Sequence, residues 1–246
     1  MSEVTAIITC MTDGERPFLM ETLLSVSNQT IPCETIVVVV ESNSWINEIA
    51  REFPSVQILR RPPGLLGSVR NSGVAASITE FVAFLDGDDI WLPTKIERQL
   101  NFLRDGRHDF VGVDHMLMTE RGEVFAYALA RNIPMPSSWM VRRNTMLRFP
   151  FDPHLAQWED GAWWLATRDN VDKWRIPEPL IRYRVRGQSL STKTPSKRRK
   201  LALAKLSTVP TLRPLMLSAT WLLHCITRRD VYLPLKEWRL LERAAS

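Results

Sequence analysis

The chain has 246 residues, of which 45% are hydrophobic and 24% charged, and a formal net charge of +5. That composition excludes a disordered or fibrous chain, and the length suits one large domain or one domain with an appendage, able to bury a core unaided. Three widely spaced cysteines, Cys10, Cys33 and Cys225, indicate neither a disulfide framework nor a zinc site, and are expected as reduced, buried thiols.

The opening residues carry no basic segment and no long apolar segment, so no signal peptide is expected, and no run of about 18 apolar residues predicts a membrane span. Residues 4–9 form a short apolar strand. Pro17 suits a first helical turn, and Leu19, Leu23 and Val26 recur at helical spacing. Residues 35–40 are almost all β-branched and apolar on both faces, as in a strand covered on both sides. A helix is expected over about 43–53, a strand over 56–59, a loop at Arg61-Pro62-Pro63-Gly64, a helix over 68–77 weakened by Gly73, and a strand over 80–85 ending at Asp86. This alternation predicts an α/β fold with a mostly parallel sheet flanked by helices. Ligands bind beyond the carboxyl ends of such strands, so Thr9, Glu41 and Asp86 are expected to face one crevice.

Beyond Asp89 the pattern loosens. A helix is expected over 93–104, strands over 110–113 and 123–127, a tryptophan-rich helix over 158–168, and a closing strand over 181–185. Arg182, Arg184 and Arg186 alternate along that strand and fall on one face, towards diphosphate, an anionic acceptor or water. Residues 1–192 are expected to form the main domain. Residues 193–246 read as a basic, amphipathic helical tail, in which Lys197, Arg198, Arg199 and Lys200 precede an apolar stretch containing Leu215, Trp221 and Leu222. Such a tail suits an anionic membrane surface, or packing on the domain or on a second subunit. Nucleic acid is not expected as a partner, because the charge is modest and no binding motif accompanies the basic run.

The sharpest chemical signal is Asp86-Gly87-Asp88-Asp89, three carboxylates directly after an apolar strand. Carboxylate oxygens suit hard cations such as Mg²⁺ or Mn²⁺, although Asp and Gly also favour plain turns. An EF-hand is disfavoured, since no Gly and Glu follow at the required positions.

The segment Phe84-Leu85-Asp86-Gly87-Asp88-Asp89-Ile90-Trp91-Leu92-Pro93 resembles the Asp-X-Asp region of family-two glycosyltransferases with the GT-A (Rossmann-like) fold. Four further pieces follow the same order: Ala6 to Thr9 with Leu23 to Thr30, Gly67 to Gly73, Trp158-Glu159-Asp160, and Pro177 to Arg184. The resemblance spans about residues 4–192. It implies an inverting, metal-dependent transfer from a nucleotide-diphosphate sugar to an acceptor hydroxyl, in polysaccharide or glycoconjugate synthesis. By that resemblance Asp88 contacts the Mn²⁺ or Mg²⁺ on the donor's diphosphate, Asp86 helps to bind that metal or the donor ribose, Thr9 and Glu41 contact the nucleotide base, and Arg70 and Asn71 contact the donor's phosphates or sugar. Asp160 is the general base, while the roles of Asp89 and Glu159 are left open. The family's Asp-Asp-Gly-Ser after the second strand is Val40-Glu41-Ser42-Asn43 here, so one acceptor oxygen is lost. Uracil is the expected base, with guanine and thymine as alternatives.

The expected acceptor is a saccharide, lipid-linked or free, and the expected location is the cytoplasm or the inner face of the cell membrane. Assembly as a homodimer stays open. Two other readings compete: a metal-dependent nucleotidyltransferase, disfavoured because Cys10 to Arg16 holds a single glycine, and a non-catalytic relative binding a sugar or a partner protein.

Overall fold

A computed structural model describes residues 2–129, 134–186 and 231–234, the side chains excepted at 126–129 and 231–234. The elements in chain order are β1 (Val4–Cys10), α1 (Leu19–Ser27), β2 (Glu34–Val40), α2 (Ile46–Glu52), β3 (Gln57–Arg61), α3 (Leu66–Ala76), β4 (Phe81–Asp86), β5 (Ile90–Trp91), α4 (Lys95–Leu103), β6 (Phe110–Met118), β7 (Val124–Leu129), β8 (Met140–Arg142), α5 (Arg143–Arg148), α6 (Glu159–Ala166), β9 (Lys173–Arg184) and β10 (Val231–Pro234). Two compact units divide the chain, one of residues 1–113 and 135–176, the other of residues 114–134 and 177–246.

In the first unit, β4, β1, β2 and β3 lie side by side in parallel, in that order. β8 extends the sheet antiparallel to β4, and the first residues of β6 pair antiparallel with β8. Every residue of β1 is buried, as are Ile36 to Val40 of β2. Such apolar runs follow from having both faces covered, and the two polar residues inside β1, Thr5 and Thr9, bond to the Thr79 hydroxyl and the Asp86 carboxylate. Packing on the sheet is close enough to require glycine at position 73: a Cβ there would lie 2.4 Å from Ile7 Cγ2 and 3.2 Å from Val38 Cγ2. Gly73 is thus the point where α3 meets the sheet, which is why a residue unfavourable to helices stands inside one.

The chain passes from β1 through β2 to β3 on one side, then returns to place β4 on the other side of β1. Between β1 and β4 the strand order reverses, the position where open α/β sheets leave a crevice beyond their carboxyl ends. Thr9 and Asp86 face each other across that switch point, paired in register.

In the second unit, the end of β6 pairs antiparallel with β7, and β7 with β10. Arg184 is buried and its guanidinium donates to the Glu120 carbonyl at 2.7 Å. One of the three alternating arginines therefore serves the packing of this unit.

The α/β fold with parallel strands and flanking helices matches the expected class, with differences in detail. β9 begins at Lys173, eight residues before the strand expected from 181. Its early part is polar and contains Pro177 and Pro179, which hide a strand from any reading based on alternation or propensity. β8 and α5 went unforeseen because each is too short to show a period. Of the tail expected to be helical, only Val231–Pro234 is described, and it is a strand; the rest of that tail lies outside the described residues.

Candidate active site

The acidic turn is fastened from three directions. Gly87 donates its N–H to the Thr9 carbonyl at 3.0 Å, and the Asp89 N–H donates to the Asp86 carbonyl at 3.0 Å. A Cβ on Gly87 would fall 2.5 Å from Cys10 Sγ and 3.1 Å from the Thr9 oxygen, so only glycine lets the turn cross so near β1. From α1, the Thr22 hydroxyl donates to the Asp89 carbonyl at 2.9 Å. From the third side, Ser137 accepts the Asp86 N–H at 3.1 Å and donates to Asp89 Oδ2 at 2.7 Å. The Ser137 carbonyl in turn accepts the Trp91 indole N–H at 2.9 Å.

These bonds separate the three carboxylates. Asp89 is fully buried and bonded to Ser137, so it anchors the turn. Asp86 has its Oδ1 engaged by the Thr9 hydroxyl at 3.1 Å and by Arg70 Nη2 at 2.9 Å, with its side chain 30% exposed. Asp88, between the two in sequence, is buried.

Arg70 is the hub of the site. It projects from the middle of α3, is 1% exposed, and gives Nη2 to Asp86 and Nη1 to Glu159 Oε1 in a short contact. Burial works to lower its pKa, but Asp86, Glu159 and Asp160 together outweigh that and hold it above the ordinary arginine value. Glu159 and Asp160 open α6, while Asp86 ends β4. One buried cation thus ties the acidic turn to the Glu-Asp pair, which lie 73 residues apart in sequence. Asp160 accepts the N–H of Gly161 on Oδ1 at 2.8 Å.

Asn71, next to the hub, spends both ends of its amide on the backbone of Phe151: Nδ2 donates to the carbonyl at 2.8 Å, and Oδ1 accepts the N–H at 3.0 Å. It is a clasp holding 151–152 against α3, where a Cβ on Gly67 would lie 2.8 Å from the Asp152 carbonyl. Glu41 lies exposed just past β2, its N–H donating to the Arg61 carbonyl at 2.9 Å. The structure therefore joins Thr9, Arg70, Asp86, Glu159 and Asp160 in one connected set, and leaves Glu41 and Asn71 outside it.

Ser137 and Thr22 escaped the sequence reading. Single hydroxyls carry no periodic or motif signal, and Ser137 sits in a single 3-10 turn, Pro136–Ser138, 48 residues after Asp89. Trp163 is buried among Phe110, Trp139 and Phe151, and its indole N–H donates to the Phe149 carbonyl at 2.6 Å. It is a core residue.

Among the described residues, no group of three or more His, Cys, Asp or Glu side chains could enclose a metal ion. Mg²⁺ and Mn²⁺ do not require such a cage, since they take one or two carboxylates and complete their shell with water and substrate phosphates. Two carboxylates of the acidic turn, Asp86 and Asp88, are of the chemical kind that such ions take. After β1, where a nucleotidyltransferase would place a glycine-rich phosphate loop, residues 12–15 instead form a closed turn whose Thr12 and Glu15 cap one another.

Residues 5–174 match the family described as glycosyl transferase family 2. The chain is 23% identical over 205 residues to an uncharacterised glycosyltransferase of Methanocaldococcus jannaschii, covering 74% of this chain and 70% of that protein. It is 24% identical over 197 residues to the putative teichuronic acid biosynthesis glycosyltransferase TuaG of Bacillus subtilis, covering 72% and 77%. Other curated relatives are longer, the chain spanning 28% of one and 44% of another. Among solved structures, S. aureus TarS in complex with UDP-GlcNAc aligns with a TM-score of 0.64 at 16% identity, over 84% of this chain and 67% of that one. Mannosyltransferase PcManGT from Pyrobaculum calidifontis, in complex with GDP-Man and Mn²⁺, aligns with a TM-score of 0.63 at 13% identity, over 89% and 69%. These likenesses establish the GT-A fold. No helix among the described residues is long and apolar enough to cross a membrane.

Proposed function

Because the chain belongs to glycosyl transferase family 2, we propose that it transfers a sugar from a nucleoside-diphosphate donor to a saccharide hydroxyl with inversion at the anomeric carbon. The observation that carries this reading is the Asp86–Arg70–Glu159 bridge, which fixes the acidic turn and Asp160 as one rigid arrangement. The donor reading is supported by the nucleotide sugars bound to TarS and PcManGT. Asp88 and Asp86 would hold the divalent cation, which when bound neutralises charge on the departing diphosphate.

The chain's own groups do the rest. Asp160 takes the proton of the acceptor hydroxyl on Oδ2, its Oδ1 being occupied by the Gly161 N–H. The acceptor oxygen bonds to the anomeric carbon as the bond from that carbon to the donor phosphate breaks, and the nucleoside diphosphate leaves with the electron pair. Base catalysis of this kind is worth about a hundred- to ten-thousandfold. Arg70 is a positioning residue, since one Nη group is engaged by Asp86 and the other by Glu159. Thr9 orients Asp86, and Glu41 stands past β2 towards the base. A uridine donor is the reading we favour. Synthesis of a polysaccharide is supported by the likeness to TuaG, named for teichuronic acid biosynthesis. Placement in the cytoplasm, or at the inner face of the cell membrane, belongs to the same proposal.

The test is a screen of UDP- and GDP-sugars with Mn²⁺ or Mg²⁺, read by thermal shift and by release of nucleoside diphosphate. Asp160→Asn is expected to keep the donor-induced shift and lose turnover by about a hundredfold or more. Asp88→Asn is expected to lose the metal-dependent part of the shift. Undiminished turnover in folded Asp160→Asn refutes the assignment of the base.

A further inference from the structure

Trp158 has the one left-handed backbone among the described non-glycine residues, with φ 66° and ψ 28°. A bulky side chain is rarely found there, and such strain persists only where the surroundings impose it. Here the next residue, Glu159, is bound to Arg70, so the chain entering α6 is held on that side. The strain turns the indole onto the backbone of Gly161: a Cβ at that position would fall 2.2 Å from both Cε2 and Nε1 of the ring. Glycine at 161 is what gives the ring its seat.

Trp158 is nevertheless 59% exposed, in a protein that buries Trp91, Trp139 and Trp163. Trp174, also half exposed, stacks on His108 and Phe102. Trp158 has no aromatic neighbour and no acceptor for its indole N–H among the described residues. Core packing therefore does not explain its conformation. An apolar face with a polar edge, held two residues from Asp160, is the surface on which the C–H face of a pyranose ring packs while its hydroxyls meet hydrogen-bonding groups.

We propose that Trp158 is the stacking platform for the acceptor sugar, presenting one ring face so that a hydroxyl reaches Asp160. This rests on Asp160 being the base, and it adds a residue that selects the acceptor by ring shape. The favoured acceptor terminus is a hexopyranose with an unbroken apolar face, since an axial hydroxyl directed at the indole would be left without a partner.

Saturation-transfer NMR on the full chain tests this, with the methyl β-glycosides of glucose, galactose and N-acetylglucosamine as probes. Transfer is expected on the C–H protons of one ring face of at least one probe. Trp158→Asn, whose side chain tolerates the left-handed backbone, is expected to cut that signal about fivefold to tenfold without lowering Tm. Gly161→Ala places a methyl group where the ring sits and is expected to give the same loss with the tryptophan retained, while Trp158→Phe keeps most of the signal. The platform is overturned if the wild type shows no transfer to any probe, if Trp158→Asn retains it, or if Trp158→Asn lowers Tm, which assigns the residue to structure. Thermal shift with UDP or GDP plus Mn²⁺ is the separate arm: its absence in the wild type removes the donor reading and leaves the NMR result to judge the platform.

Discussion

Arg70→Met retains much of the buried volume and removes the charge that joins three elements. The guanidinium is 1% exposed, and the carboxylates it bridges are 9% exposed at Glu159 and 30% exposed at Asp86. Removing one partner of a buried pair costs about 3–5 kcal/mol, most of it the penalty of an uncompensated buried charge. Glu159 bears that penalty nearly in full, whereas Asp86 is open enough to recover water. The expected loss is therefore about 4 kcal/mol, which for a chain of this size lowers Tm by about 10 °C. Urea unfolding followed by tryptophan fluorescence measures it as a shift in midpoint at unchanged slope. The double variant Arg70→Met with Glu159→Gln removes the stranded charge and is expected to recover about half of the loss. A single variant within about 1 kcal/mol of the wild type refutes the reasoning, because α6 would then be held to the acidic turn by something other than this charge.

Two further perturbations test the packing. Gly73→Ala drives a methyl group to 2.4 Å from Ile7 Cγ2; the expected cost is about 1–3 kcal/mol of overpacking, read from urea unfolding. Lys95 is fully buried, donates to Gln99 Oε1 at 2.7 Å and lies 4.0 Å from the centre of the Trp91 ring. Burial pushes its pKa well below the ordinary lysine value, with Cys33 opposing weakly. The unfolded chain then binds the extra proton, so this group's contribution to stability is complete above the unfolded pKa of about 10.4 and is lost as pH falls towards the folded one. The stability of the wild type relative to Lys95→Met is expected to rise as pH climbs towards 10, and a flat difference in denaturant midpoints over that climb refutes the lowered pKa.

The first half of the fold is legible in the sequence because its signals are local. Residues 36–40 are apolar without interruption and residues 4–10 nearly so, since a central parallel strand is covered on both faces, and the helix between them repeats at 3.6 residues. The acidic turn is legible for the same reason: three carboxylates and a glycine at a strand end form one short contiguous pattern. β8, α5 and the polar start of β9 are not, because their stability comes from partners distant in sequence rather than from their own periodicity.

The division of labour among the candidate residues is a matter for the tertiary structure alone. Asp86, Asp88 and Asp89 are equivalent as letters; they differ because Ser137 takes Asp89, and Arg70 and Thr9 take Asp86. In sequence Arg70 and Asn71 are neighbours of equal promise, yet one faces the carboxylates and the other clasps Phe151, since adjacent positions on a helix point about 100° apart. Sequence determines which elements form, because propensity and periodicity act over a few residues. Which charge is buried, and against what, depends on long-range packing that brings residues 9, 70, 86 and 159 together, and no local pattern encodes that.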